Sequence, residues 1–238
     1  MLKRTDKQML HKKYCIILFV LIIGVFLTAC QKDSPDTKEK SEPKTEEHRE
    51  NTPERNDKVV TINGQAFTYE DLLFYQLMSK VDIELKRQID EETLKGEALQ
   101  EKITYWEEQI EYQNNYNVGL YKIIEIHSMS LLAQEKELST QPEEVKEAVK
   151  SFTEKANQNK SAQKLIQDFG KETYQGKVEA YFTEKLLSDQ IYNILKEDVK
   201  KDKPDATEQE IAFEANKKYD ELYQSQVSSL DLEIEKEF

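Results

Sequence analysis

Cysteine 30 and a set of rings between residues 105 and 116 are the side chains whose types and spacing could do chemistry. Cys30 ends the tetrapeptide Leu27-Thr28-Ala29-Cys30, where small residues before a thiol suit cleavage by a peptidase and make the sulfur a candidate for covalent modification. Tyr105, Trp106, Tyr112 and Tyr116 place several amphipathic rings close together. Such rings either pack as ordinary core, with hydroxyls reaching water, or line a binding groove. The remaining candidates are poor. Glu91-Glu92, Glu107-Glu108 and Glu143-Glu144 are adjacent pairs, and neighbours on a helix point about 100° apart, so they do not converge on one substrate atom. His48 sits in a solvated charge run and His127 in a helical pattern, Glu125-Ile126-His127-Ser128. There is no phosphate-binding glycine loop and no spacing that recommends a catalytic triad or a metal site. The chain is expected to be no enzyme, with no catalytic residues, no cofactor and no metal.

The segment before Cys30 gives that thiol its context. Lys3, Arg4, Lys7, Lys12 and Lys13 face a single acid, Asp6, and Tyr14 to Ala29 carry no charge. A basic stretch followed by a short apolar run has the form of an export signal, and the run is short for a spanning helix, which needs roughly 17 to 25 residues. Leu27-Thr28-Ala29-Cys30 resembles the lipobox of bacterial lipoprotein signals. That resemblance implies cleavage between Ala29 and Cys30 and a diacylglyceryl group on the Cys30 sulfur, tying the protein to the extracytoplasmic face of a cell membrane. The alternative is an uncleaved signal anchor in which Cys30 is incidental. Residues 1–29 are read as the signal. Cys15 then leaves with it, and the mature chain has no thiol free for a disulfide, redox chemistry or metal binding.

Without residues 1–29 the chain has 29 Lys plus Arg against 46 Asp plus Glu, a net charge of −17. So acidic a surface repels phosphate backbones and anionic headgroups, which argues against nucleic acid and leaves membrane contact to the lipid. Residues 31–57 hold three prolines, charges of both signs and no aliphatic or aromatic side chain. With nothing to bury against the entropy of ordering, residues 30–57 are read as the lipidated cysteine and a disordered tether, spanning about 30 Å on average.

Residues 58–238 must therefore supply the scaffold for the rings. Few glycines and only two prolines, Pro142 and Pro204, interrupt this stretch, too few for an all-β fold, so it is expected to be mostly helical. Val59-Val60-Thr61-Ile62, Asn63-Gly64 and Gln65-Ala66-Phe67 predict a small hairpin. Thr68-Tyr69-Glu70-Asp71 is a capping box opening a helix with one apolar stripe, Leu73, Leu77, Val81, Leu85 and Ile89. Leu99, Ile103, Trp106 and Ile110 form a second stripe and Leu120, Ile123, Ile124, Leu131 and Leu132 a third. The amide-rich Gln113 to Gly119 predicts a break between them. Thr140-Gln141-Pro142-Glu143 predicts a further cap, Asn157 to Ser161 a polar loop, Gly170 a helix stop, and Thr207-Glu208-Gln209-Glu210 a last cap. Leu230-Asp231-Leu232-Glu233-Ile234-Glu235 alternates with strand period. An isolated strand needs a partner for its backbone groups, so Leu232 to Ile234 is expected to pair with Val59 to Ile62.

This order of elements resembles the N-terminal chaperone module of SurA-like and PrsA-like foldases, which assist exported chains outside the cytoplasm. The resemblance runs from Val59-Val60-Thr61-Ile62-Asn63-Gly64-Gln65 and Phe67-Thr68-Tyr69-Glu70-Asp71 through Leu131-Leu132-Ala133-Gln134-Glu135, Leu138 to Val145 and Asp168-Phe169-Gly170. Lys136 and Glu137 stand where such proteins often carry a glycine. The parvulin isomerase domain common in that family has no counterpart here, since no Gly-Gly occurs anywhere and no segment is left to hold it. The resemblance implies a holdase for unfolded or partly folded exported polypeptides, without isomerase catalysis, with Tyr105, Trp106, Tyr112 and Tyr116 as candidate client contacts. An adaptor lipoprotein using the same scaffold for one envelope partner is the other reading. A solute-binding lipoprotein would need two α/β lobes, which the helical pattern opposes.

Overall fold

The computed structural model describes residues 53–235. The expectations for residues 1–29, for Cys30 and for most of the tether lie outside the described residues. Among the described residues there are seven helices and three short strands, so the mostly helical class with a small sheet is observed.

Strand β1 (Lys58–Ile62) and strand β2 (Gln65–Thr68) form the expected hairpin, with φ of 47° at Asn63 and 82° at Gly64, the left-handed pair that a two-residue turn requires. Strand β3 (Leu232–Ile234) lies antiparallel on the other edge of β1, pairing Ile62 with Leu232 and Val60 with Ile234. The first and last strands therefore meet, as the alternating pattern at the C-terminus predicts. Asn63 fastens the join: its N–H donates to the Asp231 carbonyl at 2.7 Å, and its side-chain oxygen accepts from the Asp231 N–H at 2.9 Å. Val59, Val60 and Ile62 are fully buried against the helices.

Helix α1 (Tyr69–Thr93) opens on the predicted capping box. The Asp71 N–H donates to Thr68 Oγ1 at 3.3 Å and the Thr68 N–H to Asp71 Oδ2 at 2.8 Å. Burial raises the Asp71 pKa, but hydrogen bonds from Lys177 and Thr68 outweigh it and hold the carboxyl below its usual value. The single predicted stripe on α1 is too narrow. Leu72, Phe74, Tyr75, Gln76, Leu77 and Met78 are all buried, because the sheet and several helices surround the first half of α1. Ile89, the last member of the stripe, is 60% exposed.

Helix α2 (Glu97–Tyr112) folds back along α1 and buries no residue completely. The predicted break is confined to Gln113, Asn114 and Asn115. Helix α3 (Tyr116–Glu135) begins directly after, with Asn115 Oδ1 accepting the Asn117 N–H at 2.8 Å. Tyr116 to Gly119 are thus helical, because the Asn115 side chain supplies the cap itself. Helix α3 runs through the middle of the core, and Gly119 lets α1 approach: a Cβ there would meet Leu72 Cδ2 at 2.8 Å. The helix ends with Glu137 at φ 63°, and the Leu138 N–H reaches back to the Ala133 carbonyl at 2.9 Å. A glutamate here holds a left-handed position that glycine fills without strain.

Helix α4 (Pro142–Gln158) is capped one residue later than its sequence predicts. Pro142 favours the first helical position and forces the residue before it into extended backbone, so Gln141, not Thr140, is the cap, and its N–H donates to Glu144 Oε2 at 3.0 Å. The predicted loop from Asn157 to Ser161 shrinks to the single residue Asn159. Its Oδ1 accepts the Ala162 N–H at 2.9 Å to start helix α5 (Lys160–Phe169), while Nδ2 donates to the Glu84 carbonyl at 3.1 Å. One buried amide thus makes the corner and pins it to α1.

Gly170, φ 115°, stops α5 as predicted, and helix α6 (Lys171–Asp202) starts at once. Helix α7 (Glu208–Ser229) opens on the predicted Thr207–Glu210 box and packs on both α6 and α3 before leading into β3. One main core joins the sheet to α1, α3, α5 and α6, and a small second cluster of Val199, Ile211 and Ala215 closes the tip of the α6–α7 pair. Among the described residues, no helix is long and apolar enough to cross a membrane.

Candidate binding cleft

Of the four rings singled out in the sequence, the structure brings two together in a cleft and places two elsewhere. Tyr105 and Trp106 meet edge to face, with centroids 4.7 Å apart. Their positions follow from the α2 stripe, which turns Trp106 toward α1, where its Nε1–H donates to Asp90 Oδ2 at 2.8 Å. Lys102 holds its ammonium 5.2 Å from the Tyr105 centroid and 5.8 Å from that of Trp106, a cation–π arrangement that fixes both rings from outside. Tyr112 lies at the end of α2, 60% exposed and outside the cleft. Tyr116, in the first turn of α3, packs against the main core.

The cleft has a volume of about 820 Å³ and opens between α1, α2, α3, α6 and α7. Its apolar wall comes from Met78 and Ile83 of α1, Trp106 of α2, Ile126 of α3 and Leu186 of α6, and Tyr181, Tyr192 and Tyr219 add rings. Burial pushes the Tyr181 and Tyr219 hydroxyls well above the usual tyrosine pKa, so they remain neutral. Tyr219 shares a hydrogen bond of 2.8 Å with Ser188. Charges occur in pairs: Lys86 with Asp82 at 2.6 Å, Lys122 with Glu125 at 2.7 Å, and Lys185 with Asp189 at 2.6 Å. A surface of mixed apolar and polar groups with locally neutralised charges can hold apolar side chains while remaining wettable.

A second hollow of about 500 Å³ adjoins the first, between the outer half of α1 and α4. Leu85, Ile89, Ala148, Phe152 and Phe182 line it, and Asp82, Lys86, Phe152 and Phe182 belong to both hollows. The turn of α1 from Asp82 to Lys86 is therefore a saddle between two lobes of one groove. The exposure of Ile89 has its reason here, since the outer end of the α1 stripe faces the second lobe instead of another helix.

Tyr181, Phe182, Tyr192 and Tyr219 are cleft residues that sequence reasoning missed; they lie within the long helices α6 and α7. A signal was present: Tyr181, Lys185, Ser188 and Tyr192 recur on one face of α6, a helical stripe of side chains with apolar bodies and polar tips. The adjacent acidic pairs, Glu91-Glu92, Glu107-Glu108 and Glu143-Glu144, are all exposed.

His127 has a different place. It is 4% exposed, its Nδ1 lies 3.0 Å from Glu184 Oε1, and the Tyr75 hydroxyl donates to Glu184 Oε2 at 3.1 Å. Burial, and then the Glu184 carboxylate, raises the Tyr75 pKa well above its usual value. The Phe67 ring packs 4.9 Å from the imidazole. This chain of contacts ties β2, α1, α3 and α6 together and does not line the cleft, so its visible role is to satisfy polar groups inside the core. In comparison with known proteins, the chain matches no family model, no curated protein and no solved structure.

Proposed function

We propose that the protein is tethered by a lipid on Cys30 to the extracytoplasmic face of a cell membrane. There it holds unfolded or partly folded exported polypeptides in the two-lobed groove, without isomerase catalysis and without a cofactor. The observation that carries this reading is the groove itself, two adjoining hollows with ring-lined walls sharing one saddle. An extended chain presents side chains at intervals along its length, and two hollows in series, each with both apolar and polar walls, suit that better than one compact ligand. The acidic shell supports the same reading, because net charge keeps a domain with an open apolar groove soluble.

The full-length protein should slow aggregation of several unrelated unfolded clients at equimolar ratio. Tyr105→Ser combined with Trp106→Ser should abolish that protection with the helical circular-dichroism spectrum intact, whereas Tyr112→Ser should retain it. Protection of no client, together with crosslinking in cells to one folded partner, would replace the holdase by an adaptor. The anchor is tested separately: Cys30→Ala should remove metabolic fatty-acid labelling.

A further inference from the structure

We infer that the larger lobe of the groove selects clients by charge, taking an extended polypeptide segment that carries lysine or arginine among its apolar residues. This deepens the holdase reading and rests on it.

Two observations in the cleft wall point to a cationic hydrogen-bond donor. The first is the balance of its charges. Three lysines line the cleft, and each is held by a carboxylate of the same wall, which leaves Asp220 on α7 as the fourth carboxylate, with no lysine of the cleft beside it. The second is Gln113, at the break between α2 and α3. It lines the cleft, is only 9% exposed, and its side-chain carbonyl Oε1 is buried without a hydrogen-bond partner among the described residues. A buried acceptor left unmet is costly, and a ligand that donates to it relieves that cost. The terminal torsion of a glutamine is soft enough to turn the carbonyl toward a donor in the cleft.

The two groups singled out are thus acceptors, while the three ammonium groups of the cleft are already paired with carboxylates. An ammonium or guanidinium, which has donors and no acceptor, matches these two groups, and the one carboxylate in excess over the lysines of the wall disfavours an anion. The field of the whole domain acts in the same direction: residues 58–238 carry 37 Asp plus Glu against 23 Lys plus Arg. That field draws basic segments toward the groove, and the wall then decides which of them stay.

Trp106, the only tryptophan of the chain, lines this lobe, so its fluorescence reports occupancy directly. The test titrates the full-length protein, held in neutral detergent, with three tryptophan-free peptides of equal length and equal apolar content. One carries lysines, one is uncharged and one carries glutamates. The lysine peptide should bind about tenfold more tightly than the glutamate peptide at low salt, with the preference shrinking as salt is added. Asp220→Asn and Gln113→Leu should each reduce the preference several-fold at an unchanged melting temperature. Glu147→Gln, on the exposed face of α4 away from the cleft, should leave it intact. Equal affinity for all three peptides overturns the selection and leaves the holdase standing. A loss of preference in Glu147→Gln as large as in Asp220→Asn also overturns it, because the discrimination then belongs to the general field. Failure of every peptide to bind removes the holdase reading itself.

Discussion

Helices α2 and α3 are neighbours in sequence, of similar length, and separated by only three residues, yet eleven residues of α3 are buried and none of α2 is. Helix α2 has the clearer amphipathic pattern, with Leu99, Ile103, Trp106 and Ile110 on one face, whereas the apolar residues of α3 spread around its circumference. A clean stripe states only that a helix has one face to cover. How much of that face disappears depends on the neighbours, and α2 has essentially one, α1. Helix α3 packs against α1, α6 and α7 and against β1. The groove lies where the weakly covered helix meets the heavily covered body, so its walls combine a densely packed side with a lightly packed one.

The sharpest way to break this contrast is in α3. Ile123→Ala empties a fully buried site and should destabilise the domain by about 2–5 kcal/mol in denaturant unfolding. A loss no larger than that of a surface substitution would show that α3 is not central. Next in size is Gly119→Ala, which puts a methyl 2.8 Å from Leu72 Cδ2 and should cost about 1–3 kcal/mol despite the better helix propensity of alanine. Trp106→Ala, on α2, should change global stability by only about 1 kcal/mol. In the unmodified protein, backbone amides of α2 should exchange with solvent well before those of α3, since few contacts must break to free them. Equal protection of the two helices would contradict the picture of a weakly held wall. The smallest effect has the opposite sign. A methyl added at Gly176, within α6, would meet nothing within 4 Å, so Gly176→Ala should stabilise by about 0.5–1 kcal/mol in the same unfolding measurement.

The features legible in the sequence are those decided within a few residues. Asn63-Gly64 specifies its turn, Thr68 with Asp71 and Thr207 with Glu210 specify their caps, and Gly170 ends α5, because each answer depends on backbone geometry close by. The β1–β3 pairing was legible for another reason: two strand-like segments were available and each needed a partner. Thr140 misled because Pro142 overrides a good capping side chain one residue away. Asn157 to Ser161 misled because polar residues suggest a loop, although Asn159 alone turns the chain by committing its amide to two helices. Burial on α1 and membership of the cleft depend on helices far along the chain. That is why Tyr105 and Trp106 stand out through their clustering, while Tyr112 and Tyr116, equally clustered in sequence, lie outside the cleft.

The sheet sets the order in which the molecule can become complete. Asn63 and Asp231, joined by hydrogen bonds at the edge of β1, are separated by 168 residues, so the central strand lacks one neighbour until β3 arrives. A loop closure of this length forms late, and a chain delivered from its N-terminus can build its helices long before it can close the sheet. Until then, β1 has one edge of unpaired backbone groups, and Val59, Val60 and Ile62 sit in a strand whose pairing is unfinished. Residues 232–234 thus act as a latch: a chain that stops before Leu232 leaves one edge of β1 open, the kind of edge that templates aggregation.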